Sequence, residues 1–112
     1  MVEKNQVWAL QETADLQPVG EGFSRKILAY GEELMCVENY FESGAKAPYH
    51  KHPHVQAAYI SEGKFIFKVE EEEKVVCKGD SIFLASNVPH GVTCLEKGIV
   101  LDIFTPMRED FV

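Results

Sequence analysis

No stretch of this chain has a helical hydrophobic period; turn residues cut it into short apolar runs, and that punctuation restricts it to an all-β design. Phe23–Tyr30, bounded by Gly31, and Leu34–Phe41, bounded by Ser43-Gly44, have strand length and strand composition. Val55–Ser61 and Lys64–Val69 follow, parted by Glu62-Gly63, and then Lys74–Cys77, Ser81–Ala85 and Gly98–Pro106. Strands spaced by about 8–12 residues with turn chemistry between them close into a barrel or sandwich. At 112 residues and 46% hydrophobic content, the chain supports one core, so residues 1–112 are expected to form a single domain. Phe23–Tyr30 and Leu34–Phe41 are apolar on both parities. Such strands face a barrel interior on one side and a second sheet or subunit on the other, which predicts a homodimer.

Three of the four histidines lie within His50-Lys51-His52-Pro53-His54, and the fourth, His90, follows Pro89. In an extended strand residues two apart face the same way, so His50 and His52 can aim both rings at one point. Gln56 stands at the start of the next apolar run. An isolated His-x-His pair means little, but histidine confined to two places, each beside turn residues, points to a metal. An ion held by N and O donors at about 2.0–2.2 Å needs three or four of them, and His90 is the remaining histidine. Pro53 breaks the alternation, so His54 is predicted to leave the ligand face.

From Gly44 the chain reads five residues, His50-x-His52, three residues, Gln56, six residues, Gly63. This resembles the first motif of the cupins, with Gln for the usual Glu. Gly79, Asp80, Pro89 and His90 resemble the second motif, although no Asn follows four residues after His90. The resemblance implies a cupin barrel, a jelly-roll-like double-stranded β-helix of two antiparallel sheets, with His50, His52, Gln56 and His90 as ligands of a divalent ion. Imidazole and amide donors suit Ni, Zn, Mn or Fe alike, so the metal is not specified. Gln in place of Glu removes a negative charge and leaves the ion a stronger Lewis acid.

A net charge of −7 and a pI near 5.0 argue against nucleic acid or an anionic membrane as partner. The polar Met1–Asn5 start and the lack of a membrane-length apolar run predict a cytoplasmic protein. Cys36, Cys77 and Cys94 are odd in number and widely spaced, and are expected to be reduced, buried small hydrophobes. Residues 1–20 hold two short apolar pieces, Gln6–Leu10 and Leu16–Val19, expected to be edge strands or an arm in which Trp8 finds a buried surface. Glu70–Glu73 reads as a solvated hairpin tip. Arg25 and Arg108 are the only arginines, which makes each worth explaining.

Asp102 interrupts the apolar final run and shares a face with Val100 and Phe104. If that face is interior, the carboxylate needs a partner or a nearby cation; parity alone leaves the outer face equally open. The tail Leu101–Phe111 resembles that of small cupins of the pectin-degradation type, which act on unsaturated monouronates from pectin and alginate. By that resemblance Asp102 is the acid/base residue, Arg108 the carboxylate clamp and Phe104 an apolar wall. The implied reaction opens a 4,5-unsaturated monouronate to its linear keto-deoxy form without redox change. Two rival readings of the same site are an Fe(II) dioxygenase and a non-catalytic sugar- or metabolite-binding cupin.

Overall fold

A computed structural model describes residues 1–112 and is all-β. Its strands are β1 (Leu16–Gly20), β2 (Phe23–Gly31), β3 (Leu34–Phe41), β4 (Lys46–His50), β5 (Val55–Val69), β6 (Glu72–Cys77), β7 (Ser81–Leu84) and β8 (His90–Thr105). All pairings are antiparallel. The long strands β5 and β8 run through both walls of the barrel. On one wall the order is β1-β2-β3, the second half of β8, the first half of β5, then β7; on the other it is β4, the first half of β8, the second half of β5, then β6.

The fold line between the walls is set by two glycines. Register slips three times between Ile60 and Phe65 on β5, opposite Glu96–Ile99 on β8. Gly63 has φ +85°, and a Cβ there would lie 2.6 Å from the carbonyl oxygens of Glu96 and Lys97. A Cβ on Gly98 would strike the backbone of Glu62 and Gly63 in turn. Bulges with glycine let a strand turn a corner without losing its partner. Glu62-Gly63 and Glu96–Gly98 therefore mark corners in continuous strands; the break expected at Glu62-Gly63 is absent, and the final strand, expected to start at Gly98, starts at His90.

Inner-facing side chains form two apolar clusters, one around Phe41, Ile60, Phe65 and Val100 and another of Ile27, Met35, Val37, Phe104 and Met107. Each fully buried side chain of this size contributes roughly 1.5–3 kcal/mol. On β3 the burial alternates: Met35, Val37, Asn39 and Phe41 are buried, whereas Cys36, Glu38 and Tyr40 are half-buried. The apolar outer parity that suggested two buried faces is thus only partly covered within one chain.

Several expectations are corrected. Only Cys94 is a buried cysteine; Cys36 is half-buried and Cys77 exposed. Trp8 is 76% exposed, because Val7–Leu10 forms no strand and lies outside the sheet, while Leu16–Gly20 forms an edge strand beside β2. The strand β4 has no counterpart among the apolar runs. It contains Pro48, and it pairs with β8 alone, so the missing N–H costs no ladder bond on its open side. Glu70–Glu73 is exposed throughout, as a solvated tip should be, with Glu70 in the left-handed region at φ 54° where β5 turns into β6.

Candidate metal centre and its pocket

His50 ends β4, His52 lies in the following loop, Gln56 is the second residue of β5 and His90 begins β8. His52 is therefore not on a strand, as the two-residue spacing suggested; the chain turns at Pro53. The register nonetheless pairs His50 with His90 across β4 and β8. One ring nitrogen from each of His50, His52 and His90 lies within 4.8 Å of the others. His54 stands outside this group.

The tautomers follow from the backbone. Nδ1–H of His50 donates to the Pro48 carbonyl at 2.6 Å, that of His90 to Val88 at 2.9 Å, and that of His52 to His54 at 3.1 Å. A carbonyl can only accept, so each Nδ1 carries the proton and each Nε2 presents a lone pair. Burial, then the Arg108 charge and the neighbouring His90, push His52 down to about 4, and burial lowers His90 as well. Both are neutral bases at physiological pH, the form a metal takes.

Gln56 is oriented by Asp102. Its Nε2 donates to Asp102 Oδ1 at 2.7 Å, which turns its Oε1 toward His52 Nε2 at 3.0 Å. That contact joins two lone pairs. Two acceptors at such a distance repel unless a cation lies between them, and donors at right angles on one ion about 2.1 Å away stand about 3.0 Å apart. The donor set thus fits a divalent ion held by His50, His52, His90 and the Gln56 oxygen. An ion bound there would act as a Lewis acid, polarising a ligand oxygen and stabilising negative charge on it.

Asp102 faces inward, which resolves the question that parity left open. Its Oδ2 accepts from Asn39 Nδ2 at 2.7 Å, so two amides grip the carboxylate. Burial dominates and raises its pKa to about 7, against the lowering by the Gln56 hydrogen bond, the charges of Arg108 and Arg25, and the Asn39 hydrogen bond. Asn39 carried no role in the sequence reading. Its signal was present, a buried polar residue on the inward parity of β3 between Val37 and Phe41.

Phe104 is buried edge-on against His52, with ring centroids 5.7 Å apart, and against Phe111 at 5.8 Å. The Arg108 guanidinium lies 5.2 Å from the Phe104 ring centroid and pairs with Asp110 through Nε at 3.1 Å and Nη2 at 2.9 Å. Phe104, Phe111, Arg108 and Arg25 border a cavity of about 170 Å³ that opens onto the histidines.

Known proteins resemble this chain in sequence and in fold. Residues 39–104 match the cupin domain family. The pectin degradation protein KdgF of Dickeya dadantii is 40% identical over 98 residues, covering 86% of this chain and 89% of that protein. The crystal structure of an RmlC-like cupin from Shewanella frigidimarina superposes with a TM-score of 0.94 at 37% identity, covering 99% of this chain and all of that one. The structure of KdgF from a Halomonas species superposes with a TM-score of 0.92 at 32% identity, over 96% of this chain and all of that one.

Proposed function

The chain belongs to the cupin domain family, and from that premise we propose that it is an enzyme of pectin or alginate breakdown which converts 4,5-unsaturated monouronates to linear keto-deoxyuronates. The observation that carries the proposal is an inward-facing carboxyl, Asp102, held by two amides in one small pocket with three histidines, a fixed carboxamide and two guanidiniums. A cavity of about 170 Å³ suits one sugar ring better than a polymer, since drug-sized ligands occupy about 300–1,000 Å³.

The reaction is an isomerisation. Removal of the proton from the anomeric hydroxyl lets C1=O form as the C1–ring oxygen bond breaks, and the electron pair passes to the ring oxygen as an enolate. Protonation at carbon 4 then gives the ketone. Asp102 takes the first proton and returns it, a task for which a pKa close to neutrality is suited. Asn39 and Gln56 hold the carboxyl in place through both oxygens. Phe104 lies between His52 and Phe111, where it keeps water from the apolar side of the ring. Arg108 grips the uronate carboxylate. His50, His52, His90 and Gln56 carry the metal on which the activity depends. The enzyme works as a homodimer in the cytoplasm, with the half-covered outer face of β3 supporting pairing between chains.

The test is the loss of alkene absorbance from 4,5-unsaturated galacturonate. Metal-loaded protein should remove the band well above the spontaneous rate, and chelator treatment or Asp102→Asn should each abolish the difference. A band that decays at the spontaneous rate with loaded wild-type protein refutes the reading. Sedimentation at micromolar concentration tests the dimer.

A further inference from the structure

Two arginines reach the pocket, and their circumstances differ. Arg108 is matched: its guanidinium forms a two-point ion pair with Asp110, which the pairing holds well below the usual carboxylate range. Arg25 is not. Its Nε is buried with no hydrogen-bond partner, and it takes part in no ion pair. A buried donor left unmade costs about 1–3 kcal/mol, more when charged, so a fold that retains one has usually left it for something else to satisfy.

The position of Arg25 is built. It follows Phe23 by two on β2 and shares the inward face with Phe23 and Ile27, directly opposite Asn39. Its guanidinium carbon stacks 3.6 Å from the centroid of the Phe111 ring, while that of Arg108 lies 4.3 Å from the same ring. Two like charges on one aromatic platform repel, and Asp110 hydrogen-bonds only Arg108, acting on Arg25 through space alone.

We propose that Arg25, stacked on Phe111 and lacking a hydrogen-bond acceptor, binds the carboxylate of the substrate and shares it with Arg108. The inference rests on the uronate reading and deepens it by naming a residue which selects for a carboxylate-bearing sugar over a neutral one. Stacking on Phe111 fixes the plane of the guanidinium, and a planar fork held in this way presents paired N–H groups to a carboxylate. The 3₁₀ turn Glu109–Phe111 supplies that platform, so the C-terminal segment acts as part of the binding site.

The experiment measures binding and turnover separately. Saturated galacturonate and neutral galactose are titrated by calorimetry into metal-loaded wild type, Arg25→Gln and Arg25→Lys, with circular dichroism to verify the fold. Wild type should prefer galacturonate, and Arg25→Gln should weaken it by about 10- to 100-fold, as expected for loss of a charged hydrogen bond, with galactose binding changed less than about threefold. Arg25→Lys, which keeps the charge and loses the fork, should recover part of the affinity. In turnover of the unsaturated uronate, Arg25→Gln should raise KM far more than it lowers kcat. Galacturonate affinity within about threefold of wild type in a folded Arg25→Gln protein overturns the proposal. Equal loss for galactose and galacturonate also overturns it, because the residue would then be structural. If wild type binds galacturonate in an Arg25-dependent way but leaves the alkene untouched, the carboxylate site stands and the linearisation reading fails.

Discussion

Replacing Asp102 with Asn separates the electrostatics of this carboxyl from its surroundings. Burial raises its pKa from 3.8 to about 7, so in metal-free protein the native state keeps a proton that the unfolded chain releases. Between those two values the unfolded state binds fewer protons, and native stability falls as pH rises. A shift of about 3 units at 1.36 kcal/mol each comes to a loss of about 4 kcal/mol, absent below about pH 4 and complete above about pH 7. The substituted amide cannot ionise, so the variant gains on wild type by about this amount across the range. His52 acts in the opposite sense: lowered to about 4 by burial, it adds stability as pH rises from about 4 to 6.5, and because both proteins contain it the effect cancels in their difference. The pH-independent cost of giving Asn39 and Gln56 a worse partner changes the offset and leaves the slope unaltered. Urea melts of both proteins in chelator, at half-unit steps from about pH 4 to 8.5, give that difference directly. A flat difference, or one that moves in favour of wild type, refutes the reasoning and means that Arg25 and Arg108 hold the carboxylate ionised in acid.

Gln56→Glu places a carboxylate 2.7 Å from Asp102 where an amide donates now; metal binding should tighten while turnover falls at least about tenfold, a split that metal titration and kcat together detect. Asn39→Ala removes a hydrogen bond that lowers the Asp102 pKa, so the limb of the pH–rate profile assigned to this group should move to higher pH. His90→Ala leaves two histidines and the Gln56 oxygen at the site, and elemental analysis after dialysis should find the metal largely lost. Gly98→Ala forces a methyl group onto the Glu62 backbone at the barrel corner and should cost about 3 kcal/mol in a denaturant melt.

Local patterns are legible in this sequence where one face of a strand decides the burial. β3 begins and ends where the apolar run Leu34–Phe41 does, and the turn at Ser86–Pro89 delivers His90 to the start of β8. Long-range geometry is not legible in the same way. The final strand reads as starting at Gly98, yet it runs from His90 to Thr105, since only the partner strand reveals that the chain bends at Glu96–Gly98 without breaking. His50 and His52 converge by a loop rather than by strand alternation, and Pro48 hid the edge strand that positions them. Asp102 stood out because it interrupts aliphatic residues. Asn39 did not, because a polar residue in a mixed strand is ordinary until the register places it across from Arg25, and Arg25 was marked only by the scarcity of arginine. Trp8 and Cys77 failed for a common reason: apolar character states a preference for burial, and whether a surface is there to meet it depends on the rest of the fold.

The most direct test of the account is a proton NMR time course of 4,5-unsaturated galacturonate with metal-loaded protein in D2O. Proton transfer in a pocket built around Asp102 predicts that the vinyl proton signal disappears far faster than in buffer, while the linear keto-deoxyuronate appears carrying deuterium at carbon 4. A vinyl signal that decays at the same rate with and without protein would contradict it.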